Sequence, residues 1–178
     1  VPGESDTEVR DRLASVLTAP GAALEVRQAA AVELAAAGDR RAFETLALLL
    51  NYRDEARARQ AAAALARLGD PRTGRAAAAL ATNAQRVGYA LPAIRLLVEL
   101  RAPEAVPALT TTLERLLAQP SPAPHERIAL ACVEGLGALA GARGPAARRA
   151  LRAATGHPRL APAAHAALAR AGDHTARV

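Results

Sequence analysis

The chain has 178 residues, of which 51% are hydrophobic and only 2% aromatic, and it carries a formal net charge of +6. Alanine and leucine supply most of the apolar content, so the interior they build is thin and leaves little room for a deep pocket enclosing a cofactor or a drug-sized ligand. All 23 basic residues are arginine, a pattern that fits both a GC-rich coding bias and a surface for an acidic partner.

Ser5-Asp6-Thr7-Glu8 has the form of a capping box, and Val9, Leu13, Val16 and Leu17 follow at helical spacing, which predicts a helix over 7–18 that Pro20-Gly21 ends. A helix pair follows over 24–51, its first helix carrying Val26-Arg27-Gln28-Ala29-Ala30 and Leu34. Gly38-Asp39 forms the turn, and the second helix has Phe43, Leu46, Leu49 and Leu50 as its apolar stripe. The pair over 54–82 contains the fullest form of a recurring phrase, Ala61-Ala62 through Leu68-Gly69-Asp70-Pro71. There Asp70 caps free N–H groups and Pro71 suits the first helical position. Asp39 and Asp173 fall at the place matching Asp70.

The pair over 85–118 sets Leu91, Ile94, Leu97 and Val98 against Val106, Leu109, Leu113 and Leu116, with Pro92 forcing a kink or a late start. Residues 119–124, with three prolines, form a stiff exposed insertion. A fourth pair covers 125–155, and a last helix over 160–171 ends in Gly172-Asp173. The turns at Gly38, Gly69, Arg101, Ala140 and Gly172 are spaced by 31, 32, 39 and 32 residues, the long step holding the insertion. A period near 32 built from helical pattern predicts a single all-α solenoid of about ten helices, in which stacked units bury faces that none could bury alone. The half units at 7–18 and 160–171 predict a segment of a longer array, or ends open to end-to-end association.

The quoted phrases, together with Pro103-Glu104-Ala105-Val106-Pro107-Ala108-Leu109, resemble short bacterial HEAT repeats of the phycobilisome-lyase type over nearly the whole chain. That resemblance implies a right-handed α-α superhelix whose second helices line the concave face. It implies a scaffold or adaptor role, with bilin-lyase-like assistance in some members, and carries no catalytic residue onto this sequence.

The residues themselves point the same way. His125, His157, His165 and His174 include no pair at helical ligand spacing, so no metal site or cofactor is expected. Cys132 and His165 are expected to be packed. Gly135-Leu136-Gly137 with Gly141 lacks the Rossmann spacing and is expected to serve close helix packing. No apolar run is long enough to span a membrane. The chain opens Val1-Pro2-Gly3 without methionine, which keeps a removed leader and an exported location open beside a cytoplasmic one. The expected function is non-catalytic binding of an acidic protein or peptide through Arg41, Arg72, Arg75, Thr111, Arg115, Arg148, Arg149 and Arg152 on the second helices. The alternative is a nucleic-acid backbone binder in an arginine-rich groove, which Glu44, Glu104 and Glu114 dilute.

Overall fold

Backbone chemistry at the turns sets the helix limits. In the computed structural model, which describes residues 3–139 and 144–175, Ser5 and Glu8 form the expected capping box, Ser5 N–H donating to Glu8 Oε2 at 2.8 Å and Glu8 N–H to Ser5 Oγ at 3.2 Å. Helix α1 spans Asp6–Thr18 and α2 Leu24–Ala36; a 3-10 turn, Arg40–Ala42, leads into α3, Phe43–Leu49. Asp54 caps α4, Glu55–Leu68, by accepting from the N–H groups of Ala56 and Arg57. Helix α5 spans Thr73–Ala81, α6 Leu91–Glu99, α7 Ala105–Leu117, α8 Glu126–Ala138, α9 Pro145–Ala154 and α10 Ala161–Thr175.

Several boundaries differ from expectation for identifiable reasons. Pro71 does not begin α5. It lies in a turn closed by Thr73 N–H donating to the Asp70 carbonyl at 3.0 Å, and the α-helix starts at Thr73. The helix expected from Gln85 divides into a 3-10 stretch, Ala84–Tyr89, and α6, which starts late with Pro92 in its first turn, where the missing N–H has no helical partner to lose. Helix α10 does not stop at Gly172-Asp173 but continues through both to Thr175, so Asp173 is no turn residue. His165 is exposed, not packed. The expected turn at Ala140, with Gly141, lies outside the described residues.

The chain is an all-α helical-repeat superhelix. Helices α2, α4, α6, α8 and α10 stack in one layer, and α3, α5, α7 and α9 stack in the other. The layers are stitched by α3 on α4, α5 on α6, α7 on α8 and α9 on α10, while α1 packs on α2. Equivalent leucines repeat down the first layer: Leu34, Leu65, Leu97 and Leu136 are each at most 1% exposed. Each such burial contributes roughly 1.5–3 kcal/mol, and it depends on the adjoining unit being present.

Small residues let the helices approach. A Cβ on Gly135 would lie 2.6 Å from Leu109 Cδ2 and 2.8 Å from Val98 Cγ2, and one on Gly137 would lie 3.0 Å from Ala167 Cβ. The two glycines therefore serve close packing, of α8 on α6 and α7 and of α8 on α10. Cys132 is fully buried in the same core.

The αL position that closes a first-layer helix is occupied by Gly38 (φ 75°) and Gly69 (φ 66°), and in the third unit by Arg101 (φ 49°). Around Arg101 the Schellman bonds are intact, Ala102 N–H donating to Leu97 O and Arg101 N–H to Val98 O, both at 3.1 Å. Holding an L side chain there costs about 1–2 kcal/mol, partly offset by the lower unfolded-state entropy of arginine relative to glycine. Arg101→Gly should therefore stabilise the protein by about 0.5–1 kcal/mol, and Gly69→Ala should destabilise it by about as much. Thermal unfolding checks both; an Arg101→Gly midpoint at or below the parent's would contradict the strain assignment.

Candidate functional site

The second-layer helices share a register fixed by burial. Leu46, Ala77, Leu109 and Leu151 occupy equivalent places in α3, α5, α7 and α9, and all four are 0% exposed. Two positions before them stand Glu44, Arg75, Pro107 and Arg149; two positions after them stand Leu48, Ala79, Thr111 and Ala153. All eight of these residues are exposed, because positions two away from a buried one on either side lie on the opposite, outward side of a helix. The second set is uncharged throughout, and Leu48 is 77% exposed, the most exposed large apolar residue among those described. Between α5 and α7 the surface sinks into a shallow groove lined by Ala79, Pro103, Pro107 and Thr111.

Five positions before the buried register come Arg41, Arg72 and Glu104, and here the arginines are held within the protein. Arg41 donates to Asp39 through Nε and Nη2, at 2.7 Å from Nη2 to Oδ2, and through Nη1 to Asp11 of α1 at 3.0 Å. Arg72 repeats the pattern, donating to Asp70 at 3.0 Å from Nε and 2.8 Å from Nη2, with its guanidinium 4.2 Å from the centre of the Phe43 ring of α3. Each Asp-x-Arg hook thus caps its own turn and reaches back to an earlier helix. Hydrogen bonds from Arg72 hold the buried Asp70 carboxyl down at about 2, and those from Arg41 lower Asp39 in the same sense.

The third unit lacks the hook. Glu104 lies over Gly74, where a Cβ would come within 2.5 Å of Glu104 Oε2. Elsewhere on the layer, Arg115 Nη1 donates to the Thr82 carbonyl at 2.6 Å, tying α7 to the end of α5, and Arg148 is half-buried and engaged.

The expected site residues therefore divide. The side chains of Arg41, Arg72, Arg115 and Arg148 have intramolecular partners, whereas those of Arg75, Arg149 and Arg152 are exposed and, among the described residues, make no hydrogen bond or ion pair. Thr111 sits in the α5–α7 groove. Arg143, next to the densest arginine cluster in the sequence, lies outside the described residues. Sequence reasoning picked out Thr111 but missed Leu48, Ala79 and Ala153, which share its uncharged register. Aligning the second helices on Leu46, Ala77, Leu109 and Leu151 would have found them, but Leu48 in isolation is one of several leucines in an apolar run.

The first layer is held differently. Gln28, 2% exposed, donates to the Arg57 carbonyl at 3.0 Å and to Gln60 Oε1 at 2.8 Å, and accepts from Arg57 Nη1 at 2.9 Å. This network locks α2 to α4 and leaves the buried amide satisfied. Burial alone pushes the Cys132 thiol up to about 12, so it is a packing residue with no thiolate at neutral pH. Among the described residues no three or more His, Cys, Asp or Glu side chains are placed to hold a metal ion, and no helix is long and apolar enough to cross a membrane.

Removing the Asp70 carboxylate frees a buried turn and the Arg72 N–H together, so Asp70→Ala should cost about 1–3 kcal/mol in urea unfolding. Because the folded-state pKa is depressed below the usual carboxylate value, this stabilisation is fully present above about pH 4 and is lost as pH falls from there toward about 2. Asp70→Asn should flatten that part of the acid-unfolding profile; an unchanged profile would show that the hook contributes nothing. No protein-family model matches the chain, and no curated protein matches it.

Proposed function

We propose that the chain is a HEAT-like, non-catalytic scaffold that binds an acidic, amphipathic protein segment along its second-helix layer. The observation that carries this reading is the uncharged set Leu48, Ala79, Thr111 and Ala153, bordered by the unengaged guanidinium groups of Arg75 and Arg149. An apolar strip with arginines beside it suits a helix or extended segment that presents apolar residues to the strip and carboxylates to its border, through charge-assisted and often bidentate hydrogen bonds. The solenoid supplies what such binding requires, a rigid surface that orders no loop on contact.

Supporting a protein partner over a nucleic acid is the charge pattern. Glu44 stands level with Arg75, Glu114 follows Thr111 by one turn, and two of the arginines on this layer, Arg41 and Arg72, are already paired with carboxylates. A phosphate backbone would meet alternating signs along this layer, which weakens the counterion release that drives such binding. The resemblance to phycobilisome-lyase repeats leaves bilin-lyase-like assistance as a more distant reading.

Fluorescence anisotropy with a labelled acidic amphipathic helix and a labelled random duplex, each at about 50 and about 200 mM salt, separates these readings. The peptide should bind, and Arg75→Glu with Arg149→Glu should weaken it by about tenfold or more, as should Leu48→Asp. Tight duplex binding that falls by orders of magnitude between the two salt concentrations would replace this function with the nucleic-acid one.

A further inference from the structure

The chain has only two tyrosines, and both line one small cleft of about 120 Å³ beside the starts of α4, α6 and α8. Tyr52 and Tyr89 meet there because the connections after α3 and α5 are equivalent and stack one unit apart. Arg53 and Arg127 line the same cleft. The Arg86 guanidinium lies 4.6 Å from the centre of the Tyr89 ring and donates to the Asn51 carbonyl at 2.9 Å, tying the two connections together. Tyr89 remains 40% exposed.

One carboxylate already sits at this cleft. Glu55, the first residue of α4, accepts from Arg127 of α8 at 2.8 Å from Nη2 and 3.3 Å from Nη1, reaching past the start of α6. Both side chains are open to water, 39% for Glu55 and 65% for Arg127, so the pair is weak and exchangeable. Arg53 is exposed and, among the described residues, makes no hydrogen bond or ion pair. The cleft therefore offers one guanidinium that is unengaged and one that is engaged only by a replaceable partner.

We propose that this cleft is a docking point for a single carboxylate side chain of an acidic peptide, held between Arg53 and Arg127, flanked by the rings of Tyr52 and Tyr89, and displacing Glu55. The volume is well below the ~300–1,000 Å³ of pockets that enclose a whole small molecule, and it fits one side chain. Tyrosine and arginine are the residue types that dominate binding hot spots, and here they converge in a chain that is otherwise almost free of aromatics. A planar carboxylate matches the guanidinium fork, and Glu55 displays that match in place. The cleft is built from the connections and first-layer helix starts, apart from Arg75 and Arg149, so it does not rest on the function proposed for the second layer.

Intrinsic tyrosine fluorescence reports this cleft alone, since the chain has no tryptophan and no tyrosine elsewhere. The full chain is titrated with N-acetylated tetraglutamate, with tetraglutamine and inorganic phosphate as parallel arms. A saturable change is expected with tetraglutamate only. Glu55→Gln should tighten it by releasing Arg127, and Arg53→Ala and Arg127→Ala should each weaken it by about tenfold or more. Arg75→Glu with Arg149→Glu should leave the titration unchanged, which separates this site from the second-layer one. No saturable change in either the parent or Glu55→Gln would overturn the proposal. So would an equal response to phosphate, which marks an unspecific anion site, or a response that survives both arginine variants while their melting curves match the parent's.

Discussion

Everything in this molecule depends on burial that is shared between neighbours. No helix pair here encloses a core of its own: Leu34, Leu65, Leu97 and Leu136 are removed from water by the next helices in the stack, and Leu46, Ala77, Leu109 and Leu151 likewise. That constraint demands small residues at the crossings, because a leucine can be covered on all sides only if the covering helices come close. Gly135 and Gly137 are where the demand is greatest, and the abundance of alanine elsewhere meets it at lower stringency.

The same demand gives several arginines a role in tying units together along the surface. A solenoid of alanine faces has few long side chains to tie one unit to the next, and the Asp-x-Arg hooks supply that link. Arg41 reaches Asp11, Arg72 covers Phe43 and Arg115 holds the Thr82 carbonyl, each contact running to an earlier helix. The formal charge of the chain therefore overstates the positive surface available to a partner. Among the described residues, exposed arginines whose side chains make no hydrogen bond or ion pair include Arg40, Arg59, Arg67, Arg95, Arg101 and Arg170 as well as Arg75, Arg149 and Arg152, which border one candidate surface, and Arg53, which lines another; those two surfaces differ in character. One is long and bordered by apolar ridge residues; the other is a point-like cleft ringed by aromatics.

Much of the architecture was legible in the residues. The phrase ending in Leu68-Gly69-Asp70 marks a helix, its αL stop and the cap that starts the next turn, and its recurrence gives the stacking period directly. Local chemistry determined these features, because capping, glycine at positive φ and apolar periodicity act within a few residues. The turn at Arg101 falls where Gly38 and Gly69 stand in the preceding units, and the structure shows its backbone to be left-handed like theirs. Local reasoning failed at Pro71, at the segment after Gln85 and at α10, where nothing within the sequence distinguishes Gly172 as a stop from Gly172 as a tolerated helical residue.

The candidate surfaces were legible only in part. Sequence identified the arginine-rich second helices, yet it could not tell Arg72, stacked on a ring and paired to a buried carboxylate, from Arg75 three residues away with no partner. Nor could it bring Tyr52 and Tyr89 together, or join Glu55 to Arg127, which are separated by 72 residues in sequence. The repeat period and the turns at Gly38, Gly69 and Arg101 were set by the sequence alone because they follow from interactions along a single helix or turn. Which charges remain available, and which distant side chains share a cleft, was decided only by the tertiary stack, because those depend on the distance and register between units.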